Sequence, residues 1–159
     1  MKENKLRMRG AIGVMLSVLL FGGCAQELSV EQRVIASLEM MEESAEDGRH
    51  LDFMGYVADD FQGQYGGMDR RAFHRFMIFQ MSEKRRLRAQ LFPIYVQQKG
   101  GSQTSTQASA QFNILVTGGA GLLPDSGQLF AVETDWVLDG GDWLLIRADW
   151  EPVDLSRVR

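Results

Sequence analysis

The sequence predicts an α+β domain in which three N-terminal helices pack on one face of a curved, antiparallel, four-stranded sheet. Apolar residues recur at the helical spacing of three or four as far as about residue 83, and at the strand spacing of two from about residue 86 onward. Because the helices come first and the strands afterwards, the two kinds of element are expected to form separate layers. The strands are expected to follow one another as a meander, since glycine-rich turns separate them.

A single stripe of apolar residues predicts the first helix. The stripe consists of Val30, Val34, Leu38, Met41 and Ala45. These residues are three or four positions apart, so a helix places them all on one face. Ser29 is expected to cap the start of this helix, and Gly48 is expected to stop it.

Two further helices are predicted before the sheet. The first is short and covers residues 51–58, and residues 61–68, with three glycines, are expected to form an irregular loop or a short strand. Asp69 is expected to cap the third helix, which ends near Glu83. The residues expected on its buried face are Phe73, Phe76, Met77, Gln80 and Met81.

The next two strands are predicted over residues 86–98 and 103–117, with a turn-rich loop over 118–126. Pro93 interrupts the first of them. Because proline has no N–H for the ladder, this strand is expected to be an edge strand or to bulge at that point. The residues expected on one face of the second strand are Ala108, Ala110, Phe112, Ile114 and Val116.

The last hairpin is predicted to have a three-residue loop, 139–141. This loop would place Val132 opposite Ala148 and would collect the apolar residues of both strands on one face. A two-residue loop of the two glycines would shift the register by one, place Val132 opposite Asp149 and mix the faces. The three-residue loop is therefore the preferred interpretation.

The first 24 residues form a segment of their own. Four basic residues, at positions 2, 5, 7 and 9, precede an uncharged run of eleven residues, Ala11 to Phe21. A membrane-spanning helix needs about 20 residues, so this run is too short to cross. Gly22 and Gly23 then lead directly to Cys24. The stretch LLFGGC resembles the lipobox of bacterial lipoproteins, with Phe21 where that family usually has leucine.

The lipobox resemblance implies a signal peptide over residues 1–23, cleavage before Cys24, and a lipid (palmitate) on the Cys24 thiol. The alternatives are an uncleaved anchor and an ordinary secretory signal. Residues 24–27 would then be a lipidated tether, 28–153 the domain, and 154–159 a C-terminal tail. Ala25, rather than aspartate, follows the cysteine, which resembles an address for the outer membrane of the cell envelope, facing the periplasm.

Composition excludes several kinds of partner and cofactor. Removal of residues 1–23 leaves 136 residues with a net charge of −7, because the leader holds four of the 17 basic and one of the 21 acidic residues. This acidic balance argues against nucleic acid and against charge-driven binding to an anionic membrane. Cys24 is the only cysteine, and His50 and His74 lack a ligand spacing, so no disulfide, structural metal site or cofactor is expected.

Two segments resemble the nuclear transport factor 2-like (NTF2-like) superfamily, the cone-shaped fold that also includes SnoaL-like and ketosteroid isomerase-like proteins. YVADDFQGQYGGMDRRAF, residues 56–73, is similar to the family's short helix, acidic turn and entry to the third helix. GDWLLIRADWEP, residues 141–152, is similar to its closing strand. The resemblance covers about residues 27–152 and implies a deep pocket between sheet and helices.

The catalytic members of this superfamily use an acid or a histidine inside an apolar cone. Tyr56, Asp60 and His74 are the weak candidates for such a role here, with Asp59 beside them, but no base and oxyanion donor can be placed together. The sequence therefore assigns no catalytic residue.

The candidates for contacts with a ligand in the pocket are five aromatic residues that combine an apolar ring with a polar atom. They are Tyr56, Tyr65, Tyr95, Trp136 and Trp150.

The second face of the last hairpin mixes charged residues with apolar ones and suits a homodimer interface through the sheet. In the predicted register Glu133 lies opposite Arg147 on this face, close to Asp135 and Asp149.

Three functions remain open from the sequence. The preferred one is an envelope-anchored lipoprotein whose domain binds a small apolar ligand or an envelope protein without catalysis. The first alternative is a small-molecule isomerase, cyclase or dehydratase that uses a pocket carboxylate. The second is a structural dimerisation module whose cone is filled by its own side chains. Because the fold hosts all three, the site must decide between them.

Overall fold

Three helices and one curved, six-stranded sheet make up the part of the chain that the structure, a computed structural model, describes: residues 27–83, 87–100, 105–118 and 126–154. The helices are α1 (Val30–Glu46), α2 (His50–Gly55) and α3 (Arg70–Glu83). The strands are β1 (Val57–Gly63), β2 (Met68–Asp69), β3 (Arg88–Gln98), β4 (Gln107–Gly118), β5 (Ser126–Asp139) and β6 (Asp142–Pro152). Their order across the sheet is β2-β1-β6-β5-β4-β3, and the core lies between the sheet and the helices.

The predicted lipoprotein leader and Cys24 lie outside the described residues. Within the described ranges, no helix is long and apolar enough to cross a membrane. All of the described helices and strands fall inside the predicted domain, residues 28–153.

The α+β prediction is confirmed, but the prediction of four strands is wrong because the sheet has six. The additional strands, β1 and β2, come from a segment that was expected to be the end of a helix followed by an irregular loop or a short strand. β1 runs parallel to β6, with Val57 opposite Leu145 and Gly63 opposite Ala148. Phe61, which is buried, anchors this strand to the core. β1 and β6 are far apart in the sequence, so the residues around β1 do not by themselves indicate that the two strands pair.

Helix α1 forms as its apolar stripe predicts, and every residue of that stripe is buried. At its start, the Ser29 hydroxyl accepts a hydrogen bond from the Gln32 N–H at 3.2 Å. The Gln32 side chain accepts one in return from the Ser29 N–H at 2.9 Å, which completes a capping box. After the helix, Gly48 has a φ of 71°, a conformation that favours glycine.

The four strands β3 to β6 form the predicted antiparallel meander. β3 is an edge strand, and its register shifts by one residue around Pro93: Phe92 lies opposite Asn113, whereas Tyr95 lies opposite Gln111. The prediction of an edge strand or a bulge at the proline is thus confirmed, and the strand has both features. Each of them places proline where the ladder does not need its N–H.

The loop of the last hairpin has two residues rather than the predicted three. Asp139 pairs with Asp142, and the two glycines between them have φ values of 58° and 99°. A two-residue turn with positive φ at both positions matches the twist of the strands that it joins. The predicted register is therefore wrong along the whole hairpin. It is off by one residue next to the turn and by two farther along, where Val132 lies opposite Trp150 rather than Ala148.

A bulge at Ile146 restores the apolar face that the three-residue loop was chosen to explain. Trp136 pairs with Leu145 but Asp135 pairs with Arg147, so Ile146 is an extra residue in β6. Leu145 before the bulge and Ala148 after it are consequently both buried in the core.

One hydrogen-bonded chain crosses the buried face of the sheet. The indole Nε1–H of Trp136, a fully buried residue, donates to the Thr134 hydroxyl at 2.9 Å. That hydroxyl donates in turn to the carbonyl of Ala110 on β4 at 3.1 Å. The polar atoms of these two buried side chains are therefore satisfied without water.

The outer face carries a ladder of charges centred on Arg147. Its Nε donates to Asp135 at 2.8 Å and its Nη1 to Asp149 at 2.9 Å, so Arg147 does not pair with Glu133 as predicted. Asp149 is only 3% exposed and also accepts the Tyr65 N–H at 2.7 Å. Burial raises the pKa of Asp135, but hydrogen bonds from Lys99 and Arg147 outweigh it, and the pKa lies below its usual value.

Replacing Arg147 with alanine is expected to lower the free energy of unfolding by about 2 kcal/mol or more, because buried Asp149 loses the one cation that pairs with it among the described residues. The matched control is Lys99→Ala, which removes the exposed end of the same ladder and should cost less than about 1 kcal/mol. Urea unfolding near neutral pH measures both. Equal losses in the two variants would show that Asp149 does not depend on Arg147.

Candidate functional site

A cavity of about 260 Å³ lies between the helices and the inner face of the sheet. Its lining is mostly apolar and comes from all three helices and from strands β3 to β6. Leu38 and Met41 of α1 face Ile114 and Val132 of the sheet across this space. Ala108 and Ala110 of the predicted buried face of β4 pack in the core, whereas Ile114 and Val116 of the same face line the cavity.

One end of the cavity is aromatic. Phe73 stacks on Phe61 with ring centroids 4.6 Å apart, and Phe76 stacks on Trp150 at 5.5 Å. Phe73 also contacts Trp150 at 6.0 Å, so the aromatic rings of α3 and β6 form one cluster. Such ring pairs are rigid and strongly apolar, which makes this the end that favours the body of an apolar ligand.

The other end of the cavity is polar. Gln128 of β5 lies opposite Val116 of β4, which lies opposite Ala89 of β3, so these residues form one row across the sheet. Glu46, one helical turn after Glu42, accepts the Ala89 N–H at 2.9 Å. Glu42 of α1 and Gln128 therefore line the cavity at the same end.

The rows at the two ends are separated along β4 by four residues. Phe112 lies in the row that holds Trp150, and Val116 lies in the row that holds Gln128. At a rise of about 3.3 Å per residue, this separation is about 13 Å. The cavity is thus elongated, with unlike ends.

Glu42 is a residue of the cavity lining that was not among the predicted candidates, because a charged residue beside an apolar stripe usually faces solvent. It follows Leu38 by four positions and precedes Ala45 by three, so its spacing does place it at the edge of the apolar stripe. Burial raises the pKa of the Glu42 carboxyl, and repulsion from Glu46 and Glu39 raises it further.

Only one of the five predicted ligand contacts, Trp150, lines this cavity. Trp136 is fully buried and packs in the core. Tyr56 is half-buried beside a separate depression that includes Arg49. Tyr65 and Tyr95 are 70% and 64% exposed.

Tyr65 and Tyr95 line a second concavity, of about 320 Å³, that also includes Glu133 and Glu151. The Tyr65 hydroxyl donates to the Glu151 carboxylate at 2.6 Å, and this bond raises the pKa of Tyr65. Tyr65 has a φ of 56°, a backbone conformation that is unfavourable for tyrosine, and its N–H donates a hydrogen bond to Asp149. This concavity is more polar and more acidic than the cavity under the helices.

The candidate catalytic residues do not line the cavity. Asp59 and Asp60 are exposed on β1, and Asp59 lies 3.7 Å from Arg70. His74 is half-buried, and its Nε2 lies 3.0 Å from Nδ1 of His50. In the ranges that the structure describes, no three side chains of the metal-binding types are grouped to hold a metal ion.

Replacing Glu42 with glutamine is expected to stabilise the protein near neutral pH by a few tenths of a kcal/mol. Because the folded pKa is raised, the favourable contribution of Glu42 is present only below its usual pKa of 4.5 and is lost as the pH rises through the folded pKa. The gain in the variant should therefore disappear at pH values well below 4.5. Thermal unfolding measured as a function of pH tests this expectation.

The matched control is Glu31→Gln, an exposed substitution in the first turn of the same helix. The Glu31 carboxylate interacts favourably with the helix dipole, so the control should lose a few tenths of a kcal/mol of unfolding free energy instead of gaining them. A loss of stability in Glu42→Gln at neutral pH would contradict the assignment.

Comparison with solved structures identifies the fold. An NTF2-like protein of unknown function from Pseudomonas putida KT2440 superposes with a TM-score of 0.64 at 17% identity, over 81% of this chain and 91% of that one. A candidate dehydratase of the NTF2-like family from Streptomyces avermitilis superposes with a TM-score of 0.64 at 15% identity, over 77% of this chain and 95% of that one.

Bd1075 from Bdellovibrio bacteriovorus superposes with a TM-score of 0.63 at 13% identity over 78% of this chain, which spans 41% of that protein. No protein-family model matches the chain, and no curated protein matches its sequence. At such low identities the likeness shows the fold alone. The chain therefore has the NTF2-like fold, which is also described as cystatin-like.

Proposed function

We propose that this protein is an envelope lipoprotein whose NTF2-like domain binds a small, largely apolar ligand without converting it. The observation that carries the proposal is the elongated apolar cavity of about 260 Å³ between the helices and the sheet. This volume is just below the range of about 300–1,000 Å³ that is usual for ligand pockets, so the ligand is expected to be small.

The chemistry of the lining supports an apolar ligand over water. Walls made of leucine, phenylalanine and valine side chains offer water few hydrogen bonds, so replacement of water by an apolar molecule is favourable here. Thr134, one of the few polar residues of the lining, already uses its hydroxyl within the protein. Burial of the ligand's surface supplies the affinity, at about 25 cal/mol per Å².

A lipid on Cys24 would hold this domain close to the membrane. The proposal is supported by the lipobox resemblance and by the position of α1, which begins at Val30. The few residues between them, fully extended at about 3.5 Å each, span only about 20 Å. The proposed location is the outer membrane, facing the periplasm, because Ala25 follows the cysteine.

Replacing Cys24 with serine in the full-length chain is expected to abolish incorporation of a palmitate analogue, because serine has no thiol to modify. Expression in a diderm bacterial host, labelling with the analogue and membrane fractionation measure the effect. The control is Ser29→Ala, which weakens the cap of α1 and leaves the proposed lipidation site intact. Equal labelling of both variants would contradict the lipoprotein assignment.

Native mass spectrometry of residues 25–159, before and after mild organic extraction, tests ligand binding. A small molecule should co-purify with the protein and leave on extraction. Ile114→Trp fills the cavity and should remove the molecule, whereas Tyr95→Ala alters the outer concavity and should retain it. Circular dichroism checks that both variants fold.

A clean protein mass for the unsubstituted chain would contradict the ligand-binding proposal. A clean mass at twice the chain mass would instead support the dimerisation module, with the sheet as its interface. The exposed aromatic side chains Phe92 and Tyr95 on β3 are the feature that favours such an interface.

An enzymatic role is the second candidate function, and Glu42 is the observation that favours it. A carboxyl group with a raised pKa in an apolar cavity suits a general base, and the amides of Gln80 and Gln128 could donate to an oxyanion. The similarity in fold to a candidate dehydratase is compatible with this chemistry. Turnover that Glu42→Gln abolishes while ligand binding persists would establish the enzyme over the binding protein.

A further inference from the structure

The two ends of the cavity differ in more than polarity, because only one of them carries a charge. Among the residues that line the cavity in the described part of the chain, Glu42 is the one ionisable side chain. It forms no hydrogen bond or ion pair with any other described residue, although it is half-buried. A carboxylate in this position can be satisfied by a ligand better than by the protein.

The neighbours of Glu42 increase the negative potential at this end. Glu46 and Glu39 repel its charge from the same helix. Arg88, at the start of β3, is bound to Glu46 at 2.7 Å. Among the described residues no cation pairs with Glu42, so a ligand group that enters here meets its negative charge, which attracts cations and repels anions.

The remaining polar groups of the lining do not change this preference. The Thr134 hydroxyl already accepts a hydrogen bond from Trp136 and donates one to the Ala110 carbonyl. Gln80 and Gln128 carry neutral amides, which can accept or donate hydrogen bonds. Glu42 alone thus sets the sign of the charge that the cavity accepts.

We infer that the cavity selects small amphiphiles with a protonated amine, held by the Glu42 carboxylate, and an apolar body that extends toward Phe76 and Trp150. This inference rests on the proposed ligand-binding function. The separation of about 13 Å between the polar and aromatic rows leaves room for an extended alkyl chain or a small ring system. A charge-assisted hydrogen bond in a partly dry site is short and strong, so the head group fixes the orientation of the ligand.

Three probes of equal chain length test the inference: octylamine, octanol and octanoate. Isothermal titration of residues 25–159 near neutral pH measures their affinities, with tryptophan fluorescence as a second readout because Trp150 lines the cavity. The amine should bind about tenfold more tightly than the alcohol, as expected for a hydrogen bond to a charged group. Octanoate should bind most weakly.

Substitution of Glu42 by glutamine should bring the amine and the alcohol to equal affinity while leaving the affinity of the alcohol nearly unchanged. Glu31→Gln, on the same helix but outside the cavity lining, should keep the preference for the amine. The preference should also decline as the pH is lowered and the Glu42 carboxyl becomes protonated, whereas the affinity for octanol should not.

The outcomes separate this inference from the proposed function. Equal affinities for amine and alcohol in the unsubstituted protein, or a preference for octanoate, would overturn the choice of ligand class and leave an apolar binding cavity in place. Persistence of the amine preference in Glu42→Gln would overturn the role of Glu42. If none of the three probes binds, the ligand-binding function itself is wrong, and the inference is wrong with it.

Discussion

The fold depends on β6, because this strand joins the two parts of the sheet. It lies parallel to β1 on one edge and antiparallel to β5 on the other. Because of the bulge at Ile146, both halves of β6 direct apolar side chains into the same core. Without it, a strand that turns Trp143 and Leu145 inward would also turn Arg147 inward, and burying that charge would be costly. With it, Ala148 and Trp150 face the cavity instead.

Features set by neighbouring residues could be predicted from the sequence, whereas features set by distant pairing could not. The stripe and cap of α1 and the proline-interrupted edge strand each follow from a few consecutive positions. β1 has no such signal, since Asp59 and Asp60 disfavour a strand and the pairing with the distant β6 stabilises one there. The last hairpin misled the prediction for a related reason, because the bulge at Ile146 corrects a register that the turn alone would set wrongly.

The same contrast applies to the candidate site, where side chains that are placed by distant contacts could not be predicted. Trp150, chosen with four other aromatic residues because its ring carries a polar atom, was found in the cavity lining. Tyr65 was not, because its side chain is directed by a turn with positive φ that is fastened to β6. Glu42 was overlooked because a charged residue beside an apolar stripe is usually solvated. Its spacing of four from Leu38 places both side chains on one side of the helix, but the structure was needed to show that a cavity lies there.

The parallel pairing of β1 with β6 also bears on when the chain can fold. Val57 and its partner Leu145 are separated by 145 − 57 = 88 positions in the sequence. Closing so long a loop costs entropy before any contact is gained, so this step is expected to be late and slow. While the chain emerges during synthesis, the apolar side of β1, including Phe61, has no β6 to join. The sheet is therefore completed only once β6 is available, and cleavage before β6 would remove an internal strand rather than an edge strand.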